Sequence, residues 1–225
     1  MVIRQRAIQA EAKQERHHAI LDAAERLLSR SKDRMANVAE VADEAGLAKG
    51  TVYLYFPSKE ELLLAVHERN IDGFFRELIA RLEGDGEVAI EDILALTHRH
   101  MVAPPLFLPL AARCFGMMGQ GMPPEAAYAF KQRMTQRLQR AGAGLERHFP
   151  DLSDGGGVGL LRHSYALIIG LWQMSGDSAG GGCAPELAAP DPVVFGWQYP
   201  DELDRAMRAV GEGTVGGPSS ATRGW

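Results

Sequence analysis

The chain has 225 residues, 24% of them charged and 46% hydrophobic, and carries a formal net charge of −5. That length allows one or two domains with a real core, while the acidic balance excludes attraction to nucleic acid through the field of the whole protein, so any such contact must come from a local patch. Two cysteines, Cys114 and Cys183, without a CxxC pair or a Cys/His cluster at zinc spacing, predict reduced thiols and no metal or other cofactor.

Residues 1–15 are polar and lack a clear cap, which predicts a frayed start, helical only near its end. From Arg16 a helix begins. Ile20, Ala23, Ala24, Leu27 and Leu28 recur at helical spacing and form one apolar stripe. Arg4, Arg6, Lys13, Arg16, Arg26, Arg30, Lys32 and Arg34 gather positive charge here. Acidic residues interrupt it, and a solvated helix face and a phosphate-steering arm both fit. Ser29–Ala36 reads as a connection.

Asn37 opens a second helix as its N-cap, with Glu40 three residues on in a capping box. Val38, Val41, Ala42 and Ala45 form its inner face, and Gly46 stops it. A short third helix runs from Lys49 to Tyr55, ended by Pro57. Ser58 caps a fourth, with Glu61 at its N3 position, running to about Leu82. Further helices are predicted over Ile90–Val102, Leu106–Met118, Glu125–His148, Val158–Ser175 and Pro200–Val210. Prolines and the glycine clusters Gly155–Gly157 and Gly180–Gly182 separate them. Only Val193–Tyr199 invites a strand, so the fold class is all-α. Met101–Ala112 is broken by Pro104, Pro105 and Pro109, and no apolar run approaches the roughly 20 residues of a membrane span. The polar N-terminus lacks the pattern of a secretion signal, so a cytoplasmic protein without membrane contact is expected.

Two short helices joined at a glycine corner, inside a three-helix unit, make a helix-turn-helix. Its second helix must protrude into a major groove about 12 Å wide while the first braces it. Ala42 is small where the helices cross, and Val52 and Phe56 can anchor the second helix inward. Lys49, Gly50, Thr51, Tyr53, Leu54 and Tyr55 are left on or near its outer surface. Thr51 and the tyrosines offer hydroxyls to phosphates, Lys49 offers charge, and Gly50 permits close backbone approach. Lys59, in the first turn of the next helix, can share a phosphate with free backbone N–H groups. Three-helix units with glycine corners also occur where no DNA is bound, and lone tyrosines are often core.

The run Asn37-Val-Ala-Glu-Val-Ala-Asp-Glu-Ala-Gly-Leu-Ala-Lys-Gly-Thr-Val-Tyr-Leu-Tyr-Phe-Pro-Ser-Lys-Glu-Glu-Leu resembles the signature of the tetracycline-repressor (TetR) family. Ile20-Leu-Asp-Ala-Ala-Glu-Arg-Leu-Leu resembles that family's first helix, and the likeness covers about 14–74. It implies a ligand-responsive repressor, dimeric on palindromic double-stranded operator DNA. DNA-contact positions then fall on Asn37, Ala48, Lys49, Gly50, Thr51, Tyr53, Tyr55 and Lys59. Ala48 departs from the serine or threonine common there and removes one hydroxyl cap. Lys32 and Asp33 replace a usual glycine-aromatic pair.

The resemblance further implies a helical regulatory domain over 75–211 that binds a small molecule and dimerises through its last two long helices; 212–225 would be a disordered tail. Phe107, Arg113, Met117, His163 and Trp172 are candidates for an effector pocket suited to an apolar or amphipathic inducer. The same Met/Phe stripe at helical spacing also reads as plain core. An activator or an effector-independent DNA binder remains open as an alternative. An enzyme is disfavoured. The glycine runs lack a preceding strand and the Lys-Ser/Thr of a phosphate loop, and His17-His18 and His98-x-His100 lack a third ligand or a general base.

Overall fold

The computed structural model describes residues 2–30, 37–119, 122–175 and 197–215, and every regular element among them is helical. Lys32 and Asp33, Cys183, the Gly180–Gly182 cluster and most of the strand candidate lie outside the described residues. Tyr199, the end of that candidate, opens a helix instead.

α1 (Val2–Arg30) begins well before Arg16. The expected frayed start is therefore corrected. Residues 2–15 hold alanine, glutamine, glutamate, arginine and lysine with no glycine or proline, and helix propensity prevails over the missing cap. α2 (Val38–Glu44), α3 (Lys49–Tyr55) and α4 (Lys59–Glu83) follow. The helix expected over Ile90–Val102 is divided. α5 (Ile90–Thr97) passes into a π-helical turn over His98–Val102, with the Ala103 amide donating to the His98 carbonyl at 2.8 Å. Pro104 and Pro105 lie just beyond, where no amide is available to continue the ladder. α6 (Phe107–Gly119), α7 (Pro124–His148) and α8 (Gly156–Met174) lie within two residues of expectation. α9 (Tyr199–Val215) runs five residues past its expected end, so 212–215 are helix rather than tail.

Two cores form. The first joins Ile20, Ala24 and Leu28 of α1 to Val38, Val41 and Ala42 of α2, Val52 of α3, Phe56, and Leu62, Leu63 and Val66 of α4. One buried side chain in it, Leu110, comes from α6. Arg69 of α4 ties the unit together by gripping Asp22 and Glu25 of α1. The second core runs from Ile71, Phe74, Phe75, Leu78 and Leu82 of α4 through α5 to α9. α4 thus belongs to both.

α7 packs along α4 through arginines. Arg133 donates from Nε and Nη2 to Glu68 at 2.7 and 2.6 Å, and Arg137 bridges Glu68 and Asp72 at 3.0 Å each. α7 meets α8 at a glycine crossing. A Cβ on Gly157 would lie 2.2 Å from the Gly142 carbonyl oxygen, so only glycine permits this approach. Glu146 of α7 accepts the Gly157 amide at 2.9 Å, satisfying one of the amides left open at the start of α8. No single described helix is long and apolar enough to cross a membrane. Ile90–Val102 and Phe107–Met118 reach that measure only as a pair bent by 86°, and both bury side chains in the core.

Candidate nucleic-acid interface and apolar cavity

The α2–α3 corner is built from local chemistry. Asn37 Oδ1 accepts from the amides of Ala39 and Glu40 at 2.9 and 3.0 Å, and Glu40 Oε2 accepts from the Asn37 amide at 2.9 Å. This capping box uses the Asn37 side-chain oxygen that a DNA contact would otherwise draw on. At the other end Gly46 takes φ +66°, and the Leu47 amide reaches back to the Ala42 carbonyl at 2.9 Å, closing a left-handed helix stop. Leu47 packs against the first core.

α3 then stands on two buried anchors, Val52 and Phe56. Ala48, Lys49, Gly50, Tyr53 and Leu54 are exposed; Thr51, Tyr55 and Lys59 are half-buried. Lys49 Nζ sits 5.7 Å from the Tyr53 ring centroid, which holds its charge over the outer face of α3. Tyr55 leans on His17 of α1, with ring centroids 6.5 Å apart. Leu54 is 82% exposed, a large apolar side chain on the free face of α3. Ala48 occupies the N-cap of α3 with extended backbone and no side-chain hydrogen bond. Ser58 caps α4 by accepting the Glu61 amide at 3.1 Å, and Lys59 follows directly. Of the basic cluster on α1, Arg26 and Arg30 pair with Glu44 of α2, a structural use that the sequence did not reveal.

A cavity of about 400 Å³ lies among α4 to α9. α4 contributes His67, Ile71, Phe74 and Phe75; α6 contributes Cys114 and Met118; α7 and α8 supply most of the rest. The π-helical turn delivers Met101 to its wall. None of the five side chains expected to form an effector pocket lines it. Phe107 is fully buried against the His67 ring, centroids 5.3 Å apart, and is core. Arg113 and His163 are exposed, because each lies on the outward side of its helix. Met117 packs toward the first core and Trp172 against the second, both outside the cavity lining. The cavity lining instead includes Met118, one residue along α6 from Met117, and Tyr165, two residues along α8 from His163.

His67 is a buried polar side chain of the cavity lining. Its Nε2 lies 3.2 Å from the Tyr165 hydroxyl, and its Nδ1 is buried with no hydrogen-bond partner among the described residues. Burial pushes its imidazole down to about 4, against a weaker upward pull from the Glu68 charge, so the ring is neutral. Burial also pushes the Tyr165 hydroxyl upward and the Cys114 thiol up to about 12, leaving both protonated. His67 falls between Leu63 and Ile71 at four-residue spacing, so its place on the inner face of α4 was readable in the sequence. The other histidine pair is used at the surface: His98 meets Asp204 of α9, and His100 meets Glu77 of α4, each at 2.7 Å.

Comparison with known proteins places both halves. The family described as "Bacterial regulatory proteins, tetR family" matches residues 20–66, and "Tetracyclin repressor-like, C-terminal domain" matches residues 68–213. Among curated proteins, the chain is similar to the "Fatty acid metabolism regulator protein" of Bacillus subtilis, 33% identical over 73 residues (32% of this chain, 36% of the relative). The "HTH-type transcriptional repressor KstR" of Mycobacterium tuberculosis is 39% identical over 64 residues (28% and 29%). An uncharacterized HTH-type regulator of Bacillus subtilis, YvdT, is 31% identical over 91 residues (38% and 47%). The chain spans less than half the length of each of these relatives. Among solved structures, the fold is similar to the fatty acid degradation regulator FadR of Bacillus halodurans, with TM-score 0.55, 16% identity and coverage of 92% and 97%. The TetR family regulator PfmR of Thermus thermophilus gives TM-score 0.51, 16% identity and coverage of 85% and 96%. With a family match over each of its two helical units, the chain belongs to the TetR family of bacterial regulatory proteins.

Proposed function

We propose that this protein is a cytoplasmic transcriptional repressor that binds operator DNA as a homodimer and is released by a small molecule held in the apolar cavity. The observation that carries the reading is α3: two side chains anchor it from below while Lys49, Gly50, Tyr53 and Leu54 stand exposed on its free face. Such a helix offers phosphates a charge and hydroxyls, and offers base edges an apolar tip. Dimerisation through the outer faces of α8 and α9 would present two such helices to half-sites about 34–36 Å apart. Met174, 63% exposed near the end of α8, supports a covered surface there.

The route from cavity to DNA runs through α6 as well as α4. α6 places Cys114 and Met118 on the cavity wall and Leu110 and Met117 against the first core, with Leu106 just ahead of it packed there too. A ligand that displaces α6 therefore pushes on the packing beneath α3. Linkage requires that operator binding weaken ligand binding by the same factor.

The test is operator binding across a salt series with wild type and Lys59→Ala. Removing a phosphate contact at the start of α4 should weaken binding to every sequence and flatten the salt dependence by about one ion. An unchanged slope would remove Lys59 from the interface, and no DNA binding by the wild type at low salt would sink the reading.

A further inference from the structure

We propose that the cavity takes a single-chain amphiphile, with its hydrocarbon tail in the interior and an anionic head, carboxylate or phosphate, at the mouth between Lys131 and Arg162. This inference rests on the reading of the cavity as an effector site and specifies the chemistry of its ligand.

Polarity is unevenly distributed around the cavity. Its lining is mostly leucine, isoleucine, phenylalanine and methionine, and no aspartate or glutamate contributes to it. A volume of about 400 Å³ lies within the range of small-molecule sites, and the methionines can adapt to a flexible chain. Three lining residues are exposed, Lys131 and Thr135 of α7 and Arg162 of α8, and they mark the mouth. Neither Lys131 nor Arg162 forms an ion pair among the described residues, whereas the neighbouring arginines of α7, Arg133, Arg137 and Arg140, are all engaged by carboxylates of α4. The mouth is thus cationic and uncommitted.

The interior offers no cation to a buried charge. Thr97 spends its hydroxyl on the Ile93 carbonyl at 2.9 Å, and His67 is neutral. An anion carried inward would lose its hydration without gaining a counter-charge. At the mouth it keeps part of its water and meets two cations whose aliphatic stems extend the apolar wall. A cationic head would meet like charge there, and a neutral head would gain little.

Direct binding to the full-length chain without DNA tests this independently of operator recognition. The probes are dodecanoate, dodecyl phosphate, 1-dodecanol and dodecyltrimethylammonium, titrated calorimetrically at submicellar concentration. Dodecanoate or dodecyl phosphate should bind roughly five- to tenfold more tightly than the alcohol, as expected of two solvent-accessible charge pairs. The ammonium should bind more weakly still. The tighter of the two anions identifies the head group. In Lys131→Ala/Arg162→Ala, both at exposed positions, the anion preference should vanish while the alcohol affinity stays. Met118→Trp, filling the cavity from α6, should abolish binding of all four. Equal binding of alcohol and anions, a preference that survives the double variant, binding unaffected by Met118→Trp, or no binding at all would each overturn the proposal. Loss of DNA binding alone would overturn the repressor reading and leave this one standing.

Discussion

Replacing Gly157 by alanine should destabilise the protein, although alanine is the better helix former. The added Cβ would lie 2.2 Å from the Gly142 carbonyl oxygen, 2.8 Å from its carbon and 2.9 Å from its Cα. All three are backbone atoms, so no rotamer change relieves the overlap. Carbon–oxygen contacts settle near about 3.3 Å, so α7 and α8 must part by roughly 1 Å at their crossing. Overpacking of this kind costs about 1–3 kcal/mol, and the rigid partner puts this case at the upper end. Against that stands a gain of about 1 kcal/mol in helix propensity. The expected net loss is about 2 kcal/mol. Gly159 supplies the control: it lies two residues on in the same helix, and a Cβ there meets no atom within 4 Å. Gly159→Ala should therefore gain about 1 kcal/mol from propensity alone. Urea unfolding followed by circular dichroism reads both as shifts in midpoint at constant slope. If Gly157→Ala matched or exceeded the stability of the wild type, the close crossing of α7 and α8 would not hold in solution.

His67 predicts an acid sensitivity. Its imidazole is pushed down to about 4 in the fold and returns near 6.5 when unfolded, so the unfolded chain binds a proton that the folded one refuses. Stability is then lost as pH falls from 6.5 toward 4, on the order of 2 kcal/mol between pH 6.5 and 5. His67→Gln should flatten that slope in urea titrations at each pH, and an unchanged slope would assign the sensitivity elsewhere. Glu68→Ala should cost about 2–3 kcal/mol, because three charge-assisted bonds to Arg133 and Arg137 are lost from a mostly buried carboxylate. A midpoint shift within error would mean that the α4–α7 seam is held by its apolar contacts. Ala48→Ser should raise stability by about 1 kcal/mol, since the α3 N-cap has extended backbone and no side-chain acceptor; no gain in the melting temperature would count against that cap geometry.

The N-terminal unit was legible because its determinants are local. Asn37, Gly46 and Ser58 act on amides within a few residues, and the inward pair Val52 and Phe56 follows from helical spacing alone. The lining of the cavity was not legible in the same way. Which side of α6 faces the cavity depends on how α4, α7 and α8 cross it, so Arg113 and Met118, both plausible by composition, fall on opposite sides. Nor does spacing reveal that Arg26 and Arg30 are matched to Glu44, eighteen and fourteen residues away. The start of α1 misled for a different reason: a missing cap was weighed above the summed propensity of fourteen residues without a breaker.

Leu110 bears on how the protein comes apart. The family boundary falls between residues 66 and 68, inside the unbroken α4, and Leu110, 1% exposed, crosses it from α6 into the core beneath the helix-turn-helix. A segment cut at that boundary would lose Leu110 from its core and most of α4. The two halves should accordingly melt in a single transition. A chimera that transplants the N-terminal half onto another C-terminal domain must also bring a side chain able to fill the place of Leu110.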